Sequence, residues 1–247
     1  MSTAQRKEYL AAMGLEAWVL RRGAQATAQS SEEPRVAPAP LAPQAAPAAS
    51  AAMPPAAREA AFDWEQLRAR VASCTRCALS ATRTQTVFGV GNPQAEWLIV
   101  GEAPGAEEDR QGEPFVGRAG QLLNAMLRAI GLARAQVYIA NVLKCRPPGN
   151  RDPGANESAE CLPYLEQQIA LLKPRIMLAV GRIAAQNLLR TDVPLGRLRQ
   201  QVHSFGNSRV PLIVTYHPAY LLRTPTDKRK AWEDLKFARE VCARVQR

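Results

Sequence analysis

The sequence has no long apolar run and no glycine-rich phosphate site. A membrane-spanning helix needs about 20 mostly apolar residues, whereas the best N-terminal candidate, residues 10–20, is shorter and contains Glu16. A secretory signal carries its positive charges before the apolar stretch, but Arg21 and Arg22 follow it. Neither a P-loop nor a GxGxxG motif follows a predicted strand, which argues against nucleotide-triphosphate hydrolysis and dinucleotide redox chemistry. We therefore expect a cytosolic chain that does not span a membrane.

Histidine and cysteine are scarce, with two and five residues respectively. The cytosol keeps thiols reduced, so we expect the cysteines to bind a metal or to be buried rather than to form disulfides. Cys74 and Cys77 form a CxxC pair, and Cys145 and Cys161 follow singly. A second CxxC at zinc-ribbon spacing is missing, so an iron–sulfur cluster suits these four thiols at least as well as zinc; unrelated buried cysteines are the alternative. Cys242 is expected only to pack.

Basic residues outnumber acidic residues, with 32 Lys and Arg against 22 Asp and Glu and a net charge of +10. This balance favours polyanionic partners. Nearly all of the excess falls in residues 61–247, which are long enough for one substantial core. Residues 23–60 are almost entirely Ala, Pro, Gln and Ser, and such a composition predicts a disordered tether.

Short apolar segments alternate with amphipathic segments in residues 61–247. The predicted strands are 97–100, 137–140, 176–180 and 212–214, and the predicted helices are 63–72, 119–130, 156–172, 181–189 and 227–245. This order predicts a three-layer α/β/α fold with a central four-stranded parallel sheet. Ligands of such sheets bind at the carboxyl ends of the strands. The loops that begin at residues 101, 141, 181 and 216 should therefore lie close together.

Four motifs lie in or near these loops. They are Gly101-Glu102-Ala103-Pro104-Gly105, Gly112-Glu113-Pro114-Phe115-Val116-Gly117-Arg118-Ala119-Gly120, Asn141-Val142-Leu143-Lys144-Cys145-Arg146-Pro147-Pro148 and His217-Pro218-Ala219-Tyr220-Leu221-Leu222-Arg223. Together with the cysteines, they resemble the iron–sulfur (family 4) uracil-DNA glycosylases over roughly residues 64–240. The resemblance implies base excision repair, in which uracil is removed from uracil-containing DNA by hydrolysis of the N-glycosidic bond. It also implies that Cys74, Cys77, Cys145 and Cys161 hold a 4Fe-4S cluster.

Cleavage of this bond leaves negative charge on uracil, which a positioned hydrogen-bond donor stabilises. By the resemblance, His217 donates to uracil O2 and Phe115 stacks on the flipped base. Asn141 has one donor and one acceptor for uracil O4 and N3–H, and cytosine would leave them unpaired. The alternatives are a histidine that caps a strand end, a phenylalanine of the core and an asparagine that only forms a turn.

The resemblance assigns the attacking water to Glu102 and to the backbone carbonyl of Ala103. Some other uracil glycosylases carry an aspartate where this sequence has Ala103. Glu108 matches an acidic position near uracil C5, where it would obstruct the methyl group of thymine.

The same resemblance assigns DNA contacts to Lys144 and Arg146, and to the loop that follows His217. In that loop, Leu221 or Leu222 would fill the space left by the flipped nucleotide and Arg223 would lie near a phosphate. Two leucines after a turn are also typical of a core.

No lysine among the motif residues suits a Schiff base, so we expect a glycosylase without lyase activity. The alternative is a cluster-bearing protein that binds uracil-DNA without turnover. Some relatives trap uracil covalently through a histidine after the second strand, but residues 146–160 contain none. A catalytically silent scaffold disagrees with the intact Glu102, Asn141 and His217. We expect a monomer of the bacterial cytosol that associates with the nucleoid.

The segment 1–22 is predicted to form a short amphipathic helix. Its apolar stripe consists of Leu10, Met13, Ala17 and Leu20. Residues 9–22 also resemble the N-terminal docking peptide of the psi subunit of bacterial DNA polymerase III. A lone helix of this length is marginal in water, so we interpret residues 5–22 as a docking segment for a replication or repair protein. Packing against the core and an incidental extension are the alternatives.

Overall fold

A computed structural model of the chain describes residues 63–206 and 210–245. The N-terminal helix predicted at residues 1–22 and the tether predicted at 23–60 lie outside the described residues. No helix in the described ranges has the length and apolar character that a membrane span requires.

The described residues contain a six-stranded mixed sheet. Its strands are β1 (Val90–Gly91), β2 (Trp97–Gly101), β3 (Tyr138–Asn141), β4 (Ile176–Val180), β5 (His203–Ser204) and β6 (Pro211–Thr215), in the spatial order β1-β3-β2-β4-β6-β5. The four inner strands are parallel and correspond to the four predicted strands. The prediction of a four-stranded sheet was wrong in number, because β1 and β5 add an antiparallel strand at each edge. A two-residue strand is too short to show alternation in the sequence.

Eight α-helices accompany the sheet in the described residues. They are α1 (Trp64–Ala72), α2 (Ala106–Gln111), α3 (Arg118–Ala129), α4 (Ala155–Leu172), α5 (Arg182–Leu189), α6 (Leu195–Leu198), α7 (Pro218–Arg223) and α8 (Lys228–Val245). The five predicted helices are confirmed, with ends within one residue. Asp63 starts α1 through a capping box, in which its side chain accepts the Gln66 N–H at 2.8 Å and the Gln66 side chain accepts the Asp63 N–H. The three helices that were not predicted have four to six residues each.

Helices cover both faces of the sheet, which confirms the three-layer α/β/α prediction. One apolar cluster joins the sheet to α3, α7 and α8, and a second joins its opposite face to α4 and α5. Every residue of the four parallel strands is buried, as expected for strands with helices on both sides. A third cluster packs α1 against the loop after β3 and against Cys161 and Tyr164 of α4.

The order of the strands determines where a ligand can bind. Of the four parallel strands, β2 comes first in the sequence; β3 lies on one side of it, and β4 and then β6 lie on the other side. Such a reversal opens a crevice at the carboxyl ends of the strands. The loops after β2, β3 and β6 all reach this crevice.

Candidate active site

A cleft of about 410 Å³ lies at the carboxyl ends of β2, β3 and β6. Its volume is within the usual range for small-molecule sites. The residues of the sequence prediction that line it are Glu102, Ala103, Glu108, Phe115, Asn141, His217 and Arg223. The structure therefore brings all six predicted catalytic and base-binding residues together, along with one predicted DNA contact.

Asn141 is the last residue of β3, and its side chain is buried at the base of the cleft. Only 2% of the residue is exposed, and its Oδ1 has no hydrogen-bond partner among the described residues. A buried amide oxygen without a partner is costly, unless a ligand supplies the donor. Asn141 is paired with Gly101 across the sheet, and a Cβ at Gly101 would lie 2.7 Å from the ring of Phe115. Glycine at the end of β2 thus leaves the space that both side chains occupy.

Phe115 lies in the loop before α3, with its ring 5.6 Å from the ring of His217. Its φ of 55° is in the left-handed region, which non-glycine residues seldom adopt. Arg134 holds this conformation, because its guanidinium donates to the carbonyl of Pro114 at 2.6 Å and to that of Phe115 at 3.3 Å. The same guanidinium also bonds Asn124 of α3 at 3.2 Å. Arg134 was not predicted, since it lies outside the motifs and far from Phe115 in sequence.

His217 precedes α7 and acts as its N-cap. Its Nδ1 accepts the backbone N–H of Ala219 at 3.2 Å, so this nitrogen carries a lone pair. Burial, and after it the positive charge of Arg223, lowers the pKa of His217 to about 4, while the charge of Glu108 acts in the opposite direction. The imidazole is therefore neutral at pH 7, with its proton on Nε2. Gly181, with φ 102°, makes room for the ring, since a Cβ there would lie 3.0 Å from the Cβ of His217.

Glu102 immediately follows β2 and is partly buried in the cleft. Burial, and after it the negative charge of Asp152, raises the pKa of Glu102 to about 7, while the charge of Arg182 acts in the opposite direction. Asp152 and Arg182 form an ion pair at 2.6 Å. A carboxyl group with a pKa near neutrality is suited to accept a proton at physiological pH. Ala103, the next residue, also lines the cleft.

Glu108 connects the two loops that form one wall of the cleft. One carboxylate oxygen accepts the N–H of Gly105 at 3.2 Å, and the other accepts those of Val116 and Gly117 at 3.0 and 3.3 Å. These bonds join the loop after β2 to the loop that carries Phe115. Glu108 therefore lines the cleft and also supports its wall, which the sequence did not indicate.

The four predicted cluster ligands line one pocket. Cys145 and Cys161 are buried, whereas Cys74 and Cys77 are partly exposed. In the described ranges, no three side chains of His, Cys, Asp or Glu are arranged to hold a single metal ion. A four-iron cluster spreads its thiolates farther apart than one zinc ion does, because each thiolate binds a different iron. Four cysteine thiols around one pocket are a donor set that a four-iron cluster can use, with one thiolate for each iron.

Hydrogen-bond donors reach two of these sulfurs. Arg83 donates to the Sγ of Cys145 at 3.1 Å, and the backbone N–H of Lys144 donates to the Sγ of Cys161 at 3.2 Å. Burial raises the pKa of Cys145 and raises that of Cys161 to about 11. Donors of this kind stabilise negative charge on cluster sulfurs. The fifth cysteine, Cys242, is buried in α8 within the core, in agreement with the packing role expected for it.

Comparison with known proteins assigns the family. The family profile described as "Uracil DNA glycosylase superfamily" matches residues 88–236. A type-4 uracil-DNA glycosylase of Archaeoglobus fulgidus is 44% identical over 182 residues, which cover 71% of this chain and 92% of that protein. The type-4 enzyme of Thermotoga maritima is 42% identical over 174 residues, covering 69% and 90% respectively. The chain belongs to the type-4 uracil-DNA glycosylases.

Two of the residues predicted to contact DNA in this type-4 chain, Lys144 and Leu221, are buried, and Leu221 was predicted only as an alternative to Leu222. Lys144 is 1% exposed, and its Nζ donates to the carbonyl of Asn141 at 2.8 Å and to the Oε1 of Gln168 at 2.6 Å. Leu221 is also 1% exposed and packs from α7 into the core. Neither residue can reach a DNA duplex in this conformation. A sequence motif does not show which of its residues point inward.

The other three predicted DNA contacts of this type-4 chain are accessible. Leu222 is 37% exposed, which leaves it as the candidate wedge of the loop, and the neighbouring Arg223 is exposed at the cleft. Arg146 is partly exposed, and its Nε donates to the Oδ1 of Asn150 at 2.8 Å. Asn150 lies on the rim of the cleft.

Proposed function

We propose that this chain excises uracil from DNA by hydrolysing the N-glycosidic bond, as a monofunctional glycosylase of DNA repair. Uracil-DNA glycosylase activity follows from its family; the roles of individual residues and the absence of lyase activity are the further steps of the proposal. The observation that carries it is the single cleft that contains a neutral histidine donor, a buried amide with a free acceptor, an aromatic ring and a carboxyl group of raised pKa.

Recognition of the base is assigned to Asn141 and Phe115. The Oδ1 of Asn141 lacks a partner, so it can accept N3–H of uracil while Nδ2 donates to O4. Cytosine presents the opposite pattern and would leave both groups of the buried amide unpaired. Phe115 provides the face on which the flipped base stacks.

Stabilisation of the leaving uracil is assigned to His217. The bond from the Ala219 N–H to Nδ1 directs Nε2–H as the donor toward uracil O2. A neutral donor strengthens its hydrogen bond as negative charge develops on the base, and this difference accelerates bond cleavage.

Attack of water is assigned to Glu102 and to the carbonyl of Ala103. The deprotonated carboxyl accepts the proton of the water, or stabilises the positive charge that develops on the sugar. No lysine lines the described part of the cleft, so no amine is available there for a Schiff base with the sugar. This supports hydrolysis without lyase activity.

We expect the rate of excision to rise as the pH increases through about 7. Glu102 acts as a base, and its raised pKa of about 7 means that the active, deprotonated form is lost below this pH. His217 stays neutral down to about pH 4, so it does not contribute to this transition. Single-turnover rates between pH 5 and pH 9 test the assignment.

Two variants separate Glu102 from other titrating groups. Glu102→Gln should be slow and lose the rise with pH. Asp152→Asn removes a negative charge that raises the pKa of Glu102, so its midpoint should shift to lower pH. A wild-type rate independent of pH over this range would contradict the role of Glu102.

The cluster is assigned to Cys74, Cys77, Cys145 and Cys161. When bound, it would cross-link the loop after α1, the loop after β3 and α4. None of the four lines the cleft of Glu102 and His217, so we propose a structural role for the cluster.

Uracil release from DNA is the direct test of this function. A short oligonucleotide that contains one labelled deoxyuridine should yield free uracil and an intact strand with an abasic site. The strand should break only after alkali treatment. Tight binding of this DNA without uracil release would instead support the alternative of a uracil-DNA binding protein.

We also propose that the chain is a monomer of the bacterial cytosol, associated with the nucleoid, and that residues 5–22 dock onto a replication or repair protein. The apolar stripe of this segment and its resemblance to a replisome docking peptide support the partner. Deletion of residues 1–60 should leave excision from short oligonucleotides unchanged and abolish pull-down of replisome proteins. Loss of oligonucleotide activity would show that the segment belongs to the catalytic fold.

A further inference from the structure

Lys144 is a long polar side chain buried between two functional regions of the molecule. It is 1% exposed, so its Nζ has only protein groups as partners. Nζ donates to the backbone carbonyl of Asn141 at 2.8 Å and to the Oε1 of Gln168 at 2.6 Å. Burial of a polar side chain costs free energy unless its polar atoms form hydrogen bonds, as the Nζ of Lys144 does here. The mechanism above does not use this side chain.

The two acceptors belong to different elements. Asn141 ends β3, whereas Gln168 is a fully buried residue of α4, the helix that also carries Cys161. Gln168 is itself fixed, because its Nε2 donates to the carbonyl of Phe88 at 3.0 Å and lies 3.4 Å from the Tyr138 hydroxyl. A chain of hydrogen bonds therefore runs from the core through Gln168 and Lys144 to the backbone of Asn141.

We infer that Lys144 is a positioning residue, which fixes the uracil-recognising amide of Asn141 by joining the end of β3 to helix α4. The inference rests on the proposed function, in which Asn141 binds uracil. Asn141 is the last residue of β3, so its backbone lies where the strand passes into a loop. The bond from Nζ holds the carbonyl of this residue and thereby sets the direction of its side chain.

The main variant is Lys144→Met, which keeps an unbranched buried side chain and removes the donors. Excision at saturating uracil-DNA should slow by about 10- to 100-fold, the range expected when a hydrogen bond to a charged group is lost. The DNA concentration that gives half-saturation and the iron content should stay at the wild-type level. The rate should change without the other two quantities because Lys144 acts on Asn141 and does not contact DNA.

A matched pair at Gln168 tests the same link without a change at Lys144. Gln168→Leu removes the acceptor of Nζ, whereas Gln168→Glu retains it; both lose the donor to Phe88. Excision should be slow in the Leu variant and close to wild type in the Glu variant. Tyr138→Phe removes only the distant hydroxyl contact and should leave excision unchanged.

The outcomes distinguish the inference from its alternatives. If Lys144→Met folds and retains the wild-type rate, the positioning role is wrong. It is also wrong if the rate and the iron content both fall while the half-saturating DNA concentration rises. If that variant does not fold, equal rates for Gln168→Leu and Gln168→Glu overturn it. Failure of the proposed function would appear earlier, as absence of uracil release by the wild-type chain.

Discussion

His217→Ala should lower the single-turnover rate of uracil excision by about 10²–10³, the usual cost of one donor to a developing anion. The donor is the neutral imidazole, whose Nδ1 accepts the Ala219 N–H and whose proton is on Nε2. Because its contact with uracil strengthens only as charge develops, the affinity for uracil-DNA should change little. Single-turnover kinetics and a binding titration on the same oligonucleotide measure the two quantities.

The other histidine provides the control for this experiment. His203 lies in the edge strand β5, where its Nε2 is 2.8 Å from the carbonyl of Leu198, and it does not line the cleft. His203→Ala should therefore excise uracil at the wild-type rate. Full single-turnover activity of His217→Ala would show that another group stabilises the leaving base.

The sequence predicted the fold well where a pattern extends over many residues. The four inner strands are runs of apolar residues buried on both faces, and the five long helices have amphipathic periods, so both appeared in the sequence. The edge strands β1 and β5 were not found, since two residues carry no period. The helix α7 was also missed, because six residues are too few to show a helical period. Its first residue is Pro218, and proline is common at the first position of a helix.

The motifs predicted which residues form the site but not which way each one points. Asn141 and Lys144 belong to the same motif. Asn141 lines the cleft, whereas Lys144 does not line it and donates to the backbone carbonyl of Asn141. Leu221 and Leu222 are adjacent in α7, but the first is buried and the second is exposed. Direction along a short helix or loop depends on tertiary packing, which these short motifs do not encode.

Residues that support the site without contacting the ligand were the hardest to predict. Arg134 holds the loop of Phe115 from outside every motif. Gly101 and Gly181 leave space for side chains that are distant in sequence. Glu108 was predicted for its position near the base, whereas its three backbone hydrogen bonds reveal a second, structural task. Each of these contacts depends on how loops meet in space.

The largest effect on stability is expected for Cys145→Ser. This cysteine belongs to the third apolar cluster, which contains residues of α1, of the loop after β3 and of α4. A thiolate that binds iron contributes its binding free energy to folding, so its loss should lower the free energy of unfolding by more than about 4 kcal/mol. The wild-type protein should be yellow-brown and contain iron, and the variant should lose both colour and iron and fold poorly.

Cys242→Ser is the matched control, since it replaces a second buried cysteine with the same residue. Cys242 packs in the core that includes α8 and does not line the pocket of the other four thiols. The control should keep its colour, its iron and its activity, and lose only the small stability expected for a polar atom in an apolar core. Equal iron content in both variants would remove Cys145 from the ligand set. A colourless, active wild-type protein with stoichiometric zinc would overturn the cluster itself, because the same four thiolates would then converge on one ion.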